Sequence, residues 1–199
     1  MRSGFNFPSN FSGCLAAGLL FLVLVSLGPV RSSYGQEAAI TDFSVSNSEN
    51  YLLLYLTVAD WFTQDMEAAV NNGIPITLAF KIQLFAIHPK WPDTKVIEHE
   101  FNHIMEYDNL KKEYKINRTE QGDIRISTSL AEAKKLMSEI NDFKVLPLDE
   151  LEPKVSYQLR AKAKLARKTL PLSFHYLIPF SSPWDFETEW SDLTLKLAP

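Results

Sequence analysis

The sequence predicts a mainly β protein: an antiparallel, immunoglobulin-like β-sandwich with two short inserted α-helices. Three observations lead there. Seven or eight segments alternate apolar and polar residues between turn signals, which is the period of strands and not of helices. Only two segments open with helix-capping residues. Finally, Leu151-x-Pro153-x-x-x-Tyr157-x-Leu159-x-Ala161 has the form of a tyrosine corner, in which a Tyr at the start of a sandwich strand bonds back to upstream backbone.

The elements follow in order. Residues 38–58 read as a hairpin, with Ser46-Asn47-Ser48-Glu49-Asn50 as its turn. Its second strand places Leu52, Leu54, Leu56 and Val58 on one face and Tyr51, Leu53 and Tyr55 on the other, as a central strand covered on both sides would. Thr63 caps a short helix whose Met66, Ala69 and Val70 share a face, and Asn72-Gly73 followed by Pro75 stops it. Residues 76–87 form the clearest strand, with Ile76, Leu78, Phe80, Ile82 and Leu84 on one side, ended by the turn Pro89-Lys90-Trp91-Pro92-Asp93. Strands are expected at 94–107 and 110–117, joined at Asp108-Asn109, and a short one at 124–126. Ser129-x-x-Glu132 is a capping box opening a second helix, in which Leu130, Leu136, Met137 and Ile140 recur at helical spacing. Residues 157–165 alternate again, with Gln158, Arg160, Lys162 and Lys164 on the polar face. A stretch punctuated by Pro171, Pro179 and Pro183 leads to a last strand near 186–197.

The N-terminus has the parts of a secretory signal. Arg2 is basic, no acidic residue precedes Glu37, and the apolar run 15–27 is broken by Gly28-Pro29. Ser33-Tyr34-Gly35 offers small residues where a signal peptidase reads, so cleavage is expected before Gln36, leaving a single β-rich domain at 36–199. A spanning helix would need about 20 apolar residues, more than this run supplies. Membrane contact is expected only if the segment is retained. Cleavage would remove Arg2, Arg31 and the one cysteine, Cys14, taking 20 basic residues to 18 against 24 acidic ones, a net charge of −6. A chain without cysteine forms no disulfide or thiolate metal site, and an acidic balance opposes nucleic-acid binding. No cofactor is expected.

One motif promises chemistry. His99-Glu100-Phe101-Asn102-His103 matches H-E-x-x-H, which on a helix sets two zinc ligands one turn apart with Glu100 as general base. Ile97, Phe101, Ile104 and Met105 fit that helix, whereas Ile97, Phe101, Met105 and Tyr107 fit a strand equally well. On a strand the two histidines would share a face but lie ~13 Å apart, too far to hold one ion. No helix cap precedes the motif and no third ligand stands out, so the strand reading is preferred and the zinc peptidase is the alternative. Elsewhere, Arg160, Lys162, Lys164 and Lys168 form either a basic docking stripe or a solvated face opposite Glu98, Glu100 and Glu106. Trp184 and Trp190, with Phe180 and Phe186, supply either a contact surface or core packing.

Several short pieces in order add a family likeness. They are Asn72-Gly73-Ile74-Pro75-Ile76-Thr77, Tyr107-Asp108-x-Leu110-x-x-x-Tyr114, and Ser129-Leu130-Ala131-Glu132-Ala133. They continue with Tyr157-x-Leu159-Arg160-x-Lys162, Leu170-Pro171-Leu172, and Trp184 with Trp190. Through them the chain resembles the exported bacterial proteins of domain-of-unknown-function family 4390. The resemblance implies a signal-bearing bacterial protein, cell-envelope placement and no assigned activity. It also implies a strand before Tyr107 without H-E-x-x-H. The expectation is a non-enzymatic binding domain with an envelope protein partner, its contact residues being Arg160, Lys162, Trp184 and Trp190.

Overall fold

The computed structural model describes residues 38–166 and 186–196. Its strands are β1 (Ala39–Asn47), β2 (Tyr51–Ala59), β3 (Ile76–Ile87), β4 (Thr94–Asp108), β5 (Glu113–Arg118), β6 (Asp123–Ser127), β7 (Glu139–Pro147), β8 (Ser156–Leu165) and β9 (Ser191–Lys196). Two helices interrupt them, α1 (Gln64–Asn71) and α2 (Leu130–Ser138). The strands make two antiparallel sheets, one ordered β1-β2-β7 and the other β6-β5-β4-β3-β8-β9. The protein is therefore mainly β, as the alternating patterns predict.

Both sheets contribute to one core. Leu52, Leu54, Leu56 and Val58 of β2 are buried with Ile76, Leu78, Phe80, Ile82 and Leu84 of β3 and with Tyr157, Leu159, Ala161 and Ala163 of β8. Phe101 of β4 stacks on Phe80 at 5.4 Å and meets Phe143 of β7, in the other sheet, at 4.8 Å. This is a sandwich-like arrangement, with β3 at the centre because its inward side is apolar from end to end and both neighbours can pair along its length.

The helices are short and fixed by their caps. The Thr63 hydroxyl accepts from the Met66 N–H, and Gly73 takes a left-handed φ of +80° just past α1, a conformation that costs glycine little. In α2 the Ser129 hydroxyl accepts from the Glu132 N–H at 3.4 Å. The reciprocal half of the expected capping box does not form: the Glu132 carboxylate takes the Ser127 hydroxyl at 2.6 Å, and the Ser129 N–H donates to that same hydroxyl at 3.0 Å.

Two expectations are corrected here. Ile140 does not continue α2; the helix stops at Ser138, and Ile140 sits in β7, a ninth strand that the sequence pattern hides. β7 loses its alternation because its register with β2 shifts twice and Asp142 adopts a φ of +56°, so that Val145 and Leu146 are both buried although adjacent. Second, β2 is central in its sheet but fully buried on one face only. Its other face is half-exposed, where Tyr55 donates to Asp142 and Lys144 lies 4.9 Å over the Tyr51 ring.

The tyrosine corner is present. The Tyr157 hydroxyl, at the start of β8, accepts the Glu152 N–H at 2.8 Å and so ties the crossing from one sheet to the other. At the far side of the large sheet β6 forms an edge, with Ile124 and Ile126 exposed on its outer face. A bidentate pair from Arg118 to Asp123, at 3.0 and 2.6 Å, holds β6 to β5 on the opposite face.

Candidate functional site

Because successive side chains of β3 and β8 point to opposite faces, those that do not enter the core line up on the outer face of the six-stranded sheet. β8 supplies Gln158, Arg160, Lys162 and Lys164, and β3 supplies Lys81, Gln83 and Phe85. β4 adds Glu98, Glu100 and Asn102. The basic residues of β8 were expected to face Glu98, Glu100 and Glu106 directly. β3 lies between β4 and β8, however, so Lys81 takes the acidic partners: its Nζ is 3.0 Å from Glu98 and 2.6 Å from Glu100. Glu106 lies across from Lys115 of β5 in the register, far from β8.

Glu98 is the most engaged carboxylate of the face. Lys95 reaches it at 2.8 Å, and Lys81 and the Gln83 amide also donate to it. These hydrogen bonds, Lys95's first, hold its pKa down to about 2. Hydrogen bonds to Glu100 first and then to Glu98 raise the pKa of Lys81. Lys162 pairs with Glu187 at 3.0 Å.

Trp190 comes to this face from far along the chain. It is half-buried and lies two residues before Asp192, which pairs with Arg160 in the β8–β9 register. The guanidinium carbon of Arg160 sits 4.5 Å from the Trp190 ring and 4.4 Å from the Phe85 ring, and Lys162 lies 5.6 Å from Trp190. Trp190 thus packs on the cations of the outer face and not in the core, while Phe186 does pack against the core. A groove of about 520 Å³ runs beside Trp190, lined by Lys81, Glu100, Asn102, Lys162 and Lys164 among others. Trp184, Phe180, Lys168 and the whole N-terminal segment 1–35 lie outside the described residues. Gln83 and Phe85 belong to this surface without having been singled out in the sequence; their places on the polar side of β3's alternation were the available signal.

The H-E-x-x-H segment lies in β4 and is extended throughout. Both histidines point to the core side, as strand parity requires, and each is bonded to the protein. The His99 Nε2 donates to the Val145 carbonyl at 2.8 Å, across to the other sheet. His103 is fully buried; its Nδ1 donates to the Met137 carbonyl at 2.8 Å and its Nε2 lies 3.1 Å from Glu120. Glu100 points the opposite way, to Lys81. A strand thus separates the elements that a helix would have gathered around one ion. Among the described residues no group of three or more His, Cys, Asp or Glu is placed to hold a metal ion. No helix among them is long and apolar enough to cross a membrane.

No curated protein matches the chain. The model of the domain of unknown function DUF4390 does match, over residues 35–194. That span takes in β1 to β8, the tyrosine corner, and the Arg160, Lys162 and Trp190 face. With the match covering most of the sequence, the chain belongs to the DUF4390 family.

Proposed function

We propose that the chain is a non-enzymatic binding domain of an exported bacterial protein, placed in the cell envelope, that docks a protein partner through the outer face of its large sheet. The observation that carries this reading is the packing of Trp190 on Arg160 and Lys162 of β8, with Lys162 and Trp190 lining one groove. Aromatic and Arg side chains are what protein interfaces enrich at their centres. Trp184 belongs to the same proposal. Export is supported by Arg2, the apolar run 15–27 and the small residues before Gln36. An immunoglobulin-like topology is supported by the Tyr157 corner at the start of β8 and by the order of the strands in the two sheets.

The test uses the full tagged chain, crosslinked in its host's envelope and captured beside a Lys162→Glu variant. Charge reversal at Lys162 sets a carboxylate against Glu187 without touching the core, so the variant is expected to fold and to lose the partner. Equal recovery of the same partner by both proteins would remove this face from the reading. N-terminal sequencing of the exported chain is expected to begin at Gln36.

A further inference from the structure

We propose that Arg160 is an anion-binding residue and that its ligand is a carboxylate, which deepens, and rests on, the reading of this face as a contact surface. The other cations of the face that reach an acid are already satisfied: Lys81 by Glu98 and Glu100, Lys162 by Glu187. Arg160 has no carboxylate within ion-pair distance among the described residues. Its cross-strand neighbour Asp192 turns instead to Gln158, whose Nε2 donates to it at 3.1 Å.

What Arg160 does have is a mount. Its Nε donates to the Gln83 Oε1 at 2.8 Å, and the amide nitrogen of Gln83 is engaged by Glu98, which orients that amide for Arg160. Gln83 is buried, so the anchor is fixed. In the register Phe85 lies opposite Gln158 on one side of Arg160, while Trp190 precedes Asp192 on the other, and their rings stand 4.4 and 4.5 Å from the guanidinium carbon. With Nε occupied and both rings within 4.5 Å of the guanidinium carbon, what is left is the edge bearing the two terminal nitrogens, which have no partner among the described residues.

That edge is the fork that recognises a two-oxygen anion through parallel N–H···O bonds. A carboxylate presents its two oxygens in one plane to that fork, where a phosphate is tetrahedral. Side-chain ordering is normally a cost of such binding, and here the protein has already met it.

The experiment is an NMR titration of the ¹⁵N-labelled full chain, reading the Arg160 Nε–H and the Trp190 indole N–H. Sodium acetate, sodium phosphate and sodium chloride are compared at matched ionic strength. The expected result is a saturable acetate shift in the millimolar range, with chloride producing none. Phosphate should saturate the same signals only at higher concentration. In Arg160→Lys, read at Trp190, acetate affinity should fall about tenfold or more, because an ammonium cannot offer the fork. The dispersion of the same spectrum reports whether that variant folds, and the wild-type Nε–H response decides the matter by itself. Equal shifts in chloride, no saturation with acetate, an undiminished response in folded Arg160→Lys, or tighter saturation by phosphate would each overturn the proposal. Two further arms name the source: a C-terminally amidated peptide with one Glu, and a free-acid peptide without acidic side chains. Saturation by either supports the site and tells side chain from chain terminus. A failed titration beside a successful Lys162→Glu capture result would discard the carboxylate ligand and keep the docking face.

Discussion

His103 shows how a residue that reads as a ligand becomes a structural one. It is 0% exposed, stands 4.8 Å from the Phe80 ring, and has both nitrogens within hydrogen-bond distance of Met137 and Glu120. The second Glu120 oxygen, also buried, has no partner among the described residues, so the polar contact of this side chain depends on His103. Replacing His103 by Ala removes the ring, leaves a cavity and orphans two polar groups, an expected loss of about 3–5 kcal/mol in urea unfolding. His99→Ala removes a half-buried ring with one hydrogen bond and is expected to cost about 1 kcal/mol. The same pair checks the metal reading: zinc content of the purified chain should not differ between wild type and His99→Ala. At this scale the sequence was legible where a residue acts on its own neighbours, as Thr63, Ser129 and Tyr157 do. It was silent on Glu120, whose importance arises only when β4 folds past the segment between β5 and β6.

The strands explain which patterns could be read. β8 alternates almost throughout and β3 departs only where Gln83 is buried between Ile82 and Leu84, so their faces follow from periodicity. β7 escaped because two register shifts and a left-handed Asp142 break its period, and because Ile140 falls in step with the helix before it. Expected pairings failed for a similar reason: spacing shows which face a charge occupies but not which strand lies beside it, so Lys81 was overlooked as the partner of Glu98 and Glu100. That cluster has a pH signature. The pKa of Glu98 lies at about 2 in the folded chain against an ordinary 4.5, so the folded state binds its proton less readily than the unfolded one. Its contribution is fully present above about pH 4.5 and is lost as pH falls through about 2. Glu98→Gln should therefore lower the urea midpoint at pH 7, and the gap from wild type should narrow toward pH 2. A gap independent of pH would mean that shape, and not charge, carries the effect of Glu98.

At the scale of the whole molecule, composition and turn spacing sufficed to place the chain among mainly β proteins with two helices. The partition into sheets of three and six strands did not follow from them, because strand order depends on long-range pairing that no local pattern encodes. The candidate face was half legible: Arg160, Lys162 and Trp190 each stood out, but their convergence required β9 to dock on β8. Among the described residues the large sheet also ends in β6, whose outer face carries Ile124 at 64% and Ile126 at 58% exposure. Natural edges are commonly guarded by lysine, proline or a covering element, and β6 has neither lysine nor proline. The practical consequence is colloidal. As the protein is concentrated, copies should first stick to one another there, limiting how much stays in solution. Ile124→Lys should raise the concentration at which light scattering appears while leaving the thermal midpoint nearly unchanged. Scattering at the same concentration in both proteins would show that self-association begins on another surface.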